Sequence, residues 1–119
     1  MSKRRVVITG MGIISPVGNT VPEAWNNIID GNSGVSPIAK FDTKDFETKF
    51  AATVNFNPED HLDKKGIRRV DEFIQFGLIA SDQCVIDSGL NLEEEDLNRI
   101  GVSIGSGIGG LRTIEENKL

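Results

Sequence analysis

The chain has a single cysteine, Cys84, a single histidine, His61, and no tyrosine. One thiol permits neither an internal disulfide nor a cysteine-based zinc site, which agrees with a reducing compartment. Without a tyrosine, and with no serine in a nucleophile-elbow pattern, hydrolase chemistry has no support in these residues. No apolar run approaches the roughly 20 residues that a membrane helix needs, so no membrane partner is expected. The basic start Lys3-Arg4-Arg5 leads into a strand-like stretch with no small-residue cleavage site, and the chain is expected in the cytoplasm. Positive charge is in deficit: the formal net charge is −5, which argues against a broad nucleic-acid surface. What is present is the composition of a soluble globular protein, 38% hydrophobic and 26% charged over 119 residues, enough for one small domain or part of a larger one.

The opening run, Arg4-Arg5-Val6-Val7-Ile8-Thr9-Gly10-Met11-Gly12, is apolar and β-branched between charge and glycine. That pattern predicts a strand buried on both faces, as in a parallel sheet with helical cover. Gly10-x-Gly12 then invites a dinucleotide fingerprint, but Ser15 stands where the third glycine belongs, and Pro16 and Gly18 interrupt any helix starting from the turn. The expectation is a strand feeding an irregular loop. Thr20-Val21-Pro22-Glu23 has the form of a capping box, and Val21, Trp25, Ile28 and Ile29 follow at helical spacing until Gly31. A helix over 21–30, packed by Trp25, is predicted. The connection from Gly31 to Phe46 has no clear period; it is either a packed functional loop or a surface excursion.

Residues 50–54 predict a short strand, and Pro58-Glu59-Asp60 a turn or a first helical turn. Residues 70–88 form the longest helical stretch, apolar around most of its girth except for a narrow polar strip at Asp71, Gln75 and Asp82, with Gly89 as its stop. The acidic segment 91–98 reads as a solvated turn, since adjacent carboxylates in a helix fan out around the axis and no histidine lies near. Ile100 to Ile104 predicts another buried strand, and 111–119 a helix that runs to the last residue. The order strand, helix, strand, helix, strand, helix describes a layered α/β fold.

Three groups of residues invite chemistry. Gly105-Ser106-Gly107-Ile108-Gly109-Gly110 satisfies G-x-G-x-x-G after a strand, yet no Lys-Ser or Lys-Thr follows, so it is not a P-loop. It is read as a backbone turn, or as a place where a ligand or another chain comes close. Cys84 and His61 would make a thiol and its base, but Cys84 lies in mid-helix among apolar neighbours, where a thiol stays protonated, and His61 lies in a polar segment. The segment Lys64-Lys65-Gly66-Ile67-Arg68-Arg69 holds four of the 13 basic residues. At the start of the long helix these cations would meet the positive end of its macrodipole, at about 0.3–1 kcal/mol each. Lys65, Arg68 and Arg69 would share a face if helical, which suits an acidic partner or a phosphate; a solvated turn balanced by Asp63, Asp71 and Glu72 is the other reading.

Taken together, the opening run through Ser15-Pro16-Val17-Gly18-Asn19, then Phe41-Asp42-Thr43, Asp71-x-Phe73-Ile74-Gln75-Phe76-Gly77, and Ile104-Gly105-Ser106-Gly107-Ile108-Gly109-Gly110, closely resemble the start of the β-ketoacyl-acyl carrier protein synthases of type II. The resemblance covers essentially the whole chain in register. It implies part of the first half of a thiolase-like five-layer αβαβα fold, with residues 1–119 the N-terminal part of one domain and no internal boundary. It implies decarboxylative Claisen condensation in fatty-acid synthesis, without a cofactor, by a homodimeric enzyme served by acyl- and malonyl-loaded acyl carrier protein. The family's nucleophilic cysteine and two histidines belong to later sequence, and neither Cys84 nor His61 matches them, so no catalytic residue and no metal ligand is assigned here. Lys65, Arg68 and Arg69, with Lys64 contributing, match the patch that docks the acidic carrier. Gly107 and Ile108 match the turn lining the acyl pocket, where Ile108 resembles the residue gating chain length.

Two other functions compete: a nucleotide-binding oxidoreductase fragment, which nicotinamide titration would reveal, and a non-catalytic carrier-protein-binding module. Strands apolar along their whole length need neighbours on both sides, which three short ones cannot supply. The chain made alone is therefore expected to be poorly soluble or partly unfolded, and, without the family's cysteine and histidines, inactive. The remainder of the synthase is its expected partner.

Overall fold

The computed structural model describes residues 3–118. They fall into two compact units, one of residues 13–57 and the other joining the segment up to Gly12 to everything from Pro58 onward. In the first unit, Ser15 and Gly18 exchange backbone hydrogen bonds of 3.0 and 3.2 Å in a tight turn that delivers Thr20 as the N-cap of helix α1, Val21–Ile29. The Thr20 hydroxyl accepts from the Glu23 amide at 3.3 Å, as the capping box predicts, but Glu23 reaches back to the Asn19 amide, at 2.7 Å. Gly31, at φ 71°, ends the helix in the left-handed region. The buried residue of α1 is Ala24, whereas Trp25 is 62% exposed and does not pack the helix as its spacing predicts.

The long connection contains a strand that periodicity does not reveal. β1, Val35–Pro37, pairs antiparallel with β2, Phe50–Ala52, in the register Val35 with Ala52 and Pro37 with Phe50. In a two-stranded sheet both strands are edges, where a proline is tolerated. The loop between them is stiffened by Lys49, whose ammonium donates to the carbonyls of Thr43 and Lys44 at 3.0 and 3.2 Å, and by an edge-to-face contact of Phe41 and Phe46.

The second unit is built on α3, Glu72–Ser88, which ends at Gly89 with φ 67° as the sequence predicts. It is preceded by a 3₁₀ turn, Pro58–Asp60, and a one-turn helix α2, Lys64–Ile67; it is followed by a 3₁₀ turn, Leu97–Arg99, and α4, Leu111–Glu116. α4 ends at Asn117, short of the predicted limit; Leu119 lies outside the described residues. The opening segment crosses α3 with its glycines against the helix backbone. A Cβ on Gly10 would collide with the Cys84 carbonyl and the Ser88 amide, and one on Gly12 with the Ala80 carbonyl. Ala80, Cys84 and Ser88 recur every four residues, so α3 offers a strip of small side chains to a segment that must come close. The Cys84 thiol donates to the Gly10 carbonyl at 3.3 Å, and the Asp87 carboxylate accepts from the Met11 amide at 2.9 Å.

Other expectations are corrected. The predicted strands at 4–9 and 100–104 are extended but unladdered, with Val6 90% and Val102 83% exposed; among the described residues the only sheet is β1 with β2. α3 is not enclosed on several sides, since Leu78 and Ile86 face solvent. Its polar strip is not all solvated either. Gln75 is buried at 7% exposure and, with Ile79, is one of the two buried residues of α3.

Candidate functional site

The basic patch starts from a cap. The Asp63 carboxylate accepts from the Gly66 amide at 2.9 Å and turns the chain into α2. A Cβ at Gly66 would come within 2.6 Å of that carboxylate oxygen, so the glycine makes room for the cap. One turn of helix and the turn that closes it then place Lys64, Lys65, Arg68 and Arg69, all exposed, around a shared hollow of about 460 Å³. The shared face inferred from their spacing is thus present. Lys64 approaches Glu59 at 3.8 Å, an exposed pair that contributes little to stability.

The cations do not sit at the start of the long helix, where the sequence placed them. α3 begins at Glu72 with Asp71 as its N-cap, while Arg68 is the C-cap of α2, the end of a helix that favours cations. The patch is held from behind by Gln75, a residue whose role the sequence pattern concealed. Its side-chain amide donates to the carbonyls of Ile67 at 3.3 Å and Val70 at 3.1 Å, the two peptide groups that flank Arg68 and Arg69.

The glycine turn lies at the other end of the unit's sequence. Gly109 adopts φ 81°, a left-handed conformation that a side chain would strain, and a Cβ there would touch the Phe73 ring at 3.5 Å. Gly110 is the N-cap of α4 and lies so close to the Asp71 carboxylate that a Cβ would collide with it. The Thr113 hydroxyl donates to the same carboxylate. Asp71 occupies an N-cap position yet makes no side-chain cap bond to its own helix. Gly107 has open space where a Cβ would be, and Ile108 is 74% exposed, so no pocket wall forms around it among the described residues. Of the remaining candidates, the Cys84 thiol is engaged with Gly10, and the His61 amide donates to the Pro58 carbonyl at 3.1 Å.

The described helices include none long and apolar enough to cross a membrane. Residues 3–119 match the family model described as "Beta-ketoacyl synthase, N-terminal domain". The chain is 54% identical over 116 residues to 3-oxoacyl-[acyl-carrier-protein] synthase 2 of Vibrio cholerae, covering 97% of this chain and 28% of that protein. The synthase 2 of Coxiella burnetii is 50% identical over 118 residues, again with 98% of this chain and 28% of the relative covered. Among solved structures, the ishigamide ketosynthase/chain length factor superposes with a TM-score of 0.70 at 33% identity, covering 78% of this chain and 23% of that one. The chain thus spans under a third of the length of the curated relatives it matches. None of these likenesses favours an oxidoreductase or a non-catalytic module. Helices, glycine turn and sequence agree on one placement, an α/β fold of the ketosynthase kind, and the chain belongs to the β-ketoacyl synthase family through its N-terminal domain.

Proposed function

We propose that residues 1–119 serve as the N-terminal part of a single thiolase-like domain, without an internal boundary, in a cytoplasmic, homodimeric 3-oxoacyl-acyl carrier protein synthase. The complete enzyme transfers an acyl chain from carrier protein to a cysteine thiolate. Malonyl carrier protein then loses carbon dioxide, its α-carbon attacks the acyl thioester carbonyl, a carbon–carbon bond forms, and the cysteine leaves as thiolate. Covalent catalysis divides a hard condensation into two easier transfers, and an oxyanion hole stabilises the tetrahedral charge. The cysteine and histidines that do this lie outside the chain, which on its own condenses nothing.

The chain contributes recognition. Lys64, Lys65, Arg68 and Arg69 dock the acidic carrier protein, where complementary charge speeds encounter and fixes register. Gly107 and Ile108 belong to the wall of the acyl pocket once the rest of the synthase covers the turn. The observation that carries the docking role is the meeting of four exposed cations around one hollow, in a chain with a net charge of −5. The test is a chimera in which this chain replaces the matching segment of the Vibrio cholerae synthase 2. R68E/R69E should weaken binding of acyl carrier protein by about 100-fold at low salt, with a shallower salt dependence. Turnover of a small pantetheine thioester, which needs no docking, should be retained. Unchanged carrier affinity overturns the docking role, and a chimera that condenses neither substrate overturns the reading of the enzyme.

A further inference from the structure

The first turn of α3 touches both candidate regions at once. From its inner side, Gln75 holds the carbonyls of Ile67 and Val70 and so fixes the backbone that carries Arg68 and Arg69. From its start, Asp71 accepts from Thr113 and lies against Gly110, while Phe73 meets Gly109. Asp71 stands where a carboxylate would ordinarily cap its own helix, and its side chain forms no such bond. An acceptor turned away from the nearest amides and toward another segment marks a connection between the segments.

We propose that Asp71, Phe73 and Gln75 form a positioning link through which a partner bound at Arg68 and Arg69 acts on the Gly105–Gly110 turn. This rests on the docking and pocket roles proposed above and adds their coupling. The parts suit the task. The arginines are tied to the first turn of α3 through two backbone carbonyls, and the segment that the same turn meets is rich in glycine, with one residue in the left-handed region. A displacement at the patch therefore reaches a glycine-rich segment through a single turn of helix. Coupling of this kind is reciprocal, but in a turn that is mostly closed already its loss is read in the rare openings that exchange reports and hardly in carrier affinity.

The experiment uses the chimera described above, with Vibrio cholerae acyl carrier protein as the probe and amide hydrogen exchange over 105–113 as the readout. Saturating carrier protein should slow exchange of the turn amides by about five-fold in the parent chimera, the effect of one hydrogen bond's worth of stabilisation. T113V removes the hydroxyl that Asp71 accepts from, at an exposed position where folding is not at risk. It should reduce that response to within about 1.5-fold while leaving the carrier's Kd within about two-fold, and T113S should restore the response. An unchanged exchange rate in the parent on carrier binding overturns the link, as does a full response in T113V. Failure of the parent to bind carrier protein overturns the docking role, and the link with it, and is recognised separately from the binding curve.

Discussion

Helix α3 and the two strand-patterned runs, 4–9 and 100–104, are comparably apolar, yet only the helix takes the form its sequence predicts. An α-helix closes its backbone hydrogen bonds within four residues, so 17 residues in this chain suffice to form one. A strand closes none by itself and must find its ladder in another strand. The same chemistry that makes Val6, Val7 and Ile8 good strand residues leaves them exposed where no ladder meets them. The difference separates structure that a stretch of sequence carries internally from structure it only offers to a neighbour.

The sharpest way to break this comparison is a charge in the opening run. V7D should destabilise the complete chimera by about 4 kcal/mol or more if its sheet buries that side chain, as read from urea unfolding. In the 119-residue chain alone, where Val7 is already exposed, the far-ultraviolet helical signal should stay as it is. Equal losses in the two settings would mean that the run is ordered without its neighbours. A second, smaller contrast pairs two glycines. G12V drives a side chain into the Ala80 carbonyl of α3 and should cost about 2–3 kcal/mol. G101V meets nothing within 4 Å in this chain, and should leave the far-ultraviolet helical signal of the isolated chain as it is.

The same contrast explains what could be read in advance. The cap at Thr20 and the stops at Gly31 and Gly89 are local signals, and they fall where the sequence places them. The meeting of Lys65, Arg68 and Arg69 was legible from their spacing, although α2 stops at Ile67 and Arg69 follows its C-cap in a turn. Gln75 was not. It falls on the same polar strip as Asp71 and Asp82, and its burial is decided by two carbonyls of a turn whose path no periodicity describes. Gly10 and Gly12 read as a failed nucleotide fingerprint because their real constraint, the approach to Ala80, Cys84 and Ser88, lies some 70 positions away in sequence, as the 74-residue separation of Gly10 and Cys84 shows. β1 escaped notice because Pro37 removes a backbone donor and the strand has only three residues. The penalty assigned to the cations came from placing them at the start of the long helix, whereas Arg68 caps the end of α2.

A local signal should also be worth a local amount, and two caps of different kinds grade the claim. T20A removes the acceptor for the Glu23 amide while leaving the helix sequence intact, and should cost about 1 kcal/mol. G89A places a side chain at φ 67° at the end of α3, with nothing within 4 Å to clash, and should cost about 1 kcal/mol through backbone strain alone. Both values come from denaturant midpoints at unchanged m. A T20A loss several times larger would mean that the Asn19–Thr20 corner supports more than α1.

The smallest effect is expected where the geometry looks best. Arg112 donates to Glu116 at 2.7 Å across one turn of α4, and this hydrogen bond, then the Glu116 charge, raises the guanidinium above its ordinary value. Raising the folded pKa of a base gives a stabilisation that is complete below the unfolded pKa and lost as pH rises through the folded one. For an arginine that window lies above any working pH, so the guanidinium supplies no pH dependence between about pH 5 and 9. Both side chains are well exposed, water competes for every contact, and holding them together costs rotamer freedom. E116Q should therefore leave the unfolding midpoint within error at low and at high salt. A salt-dependent loss would show that α4 is held by its own surface charge.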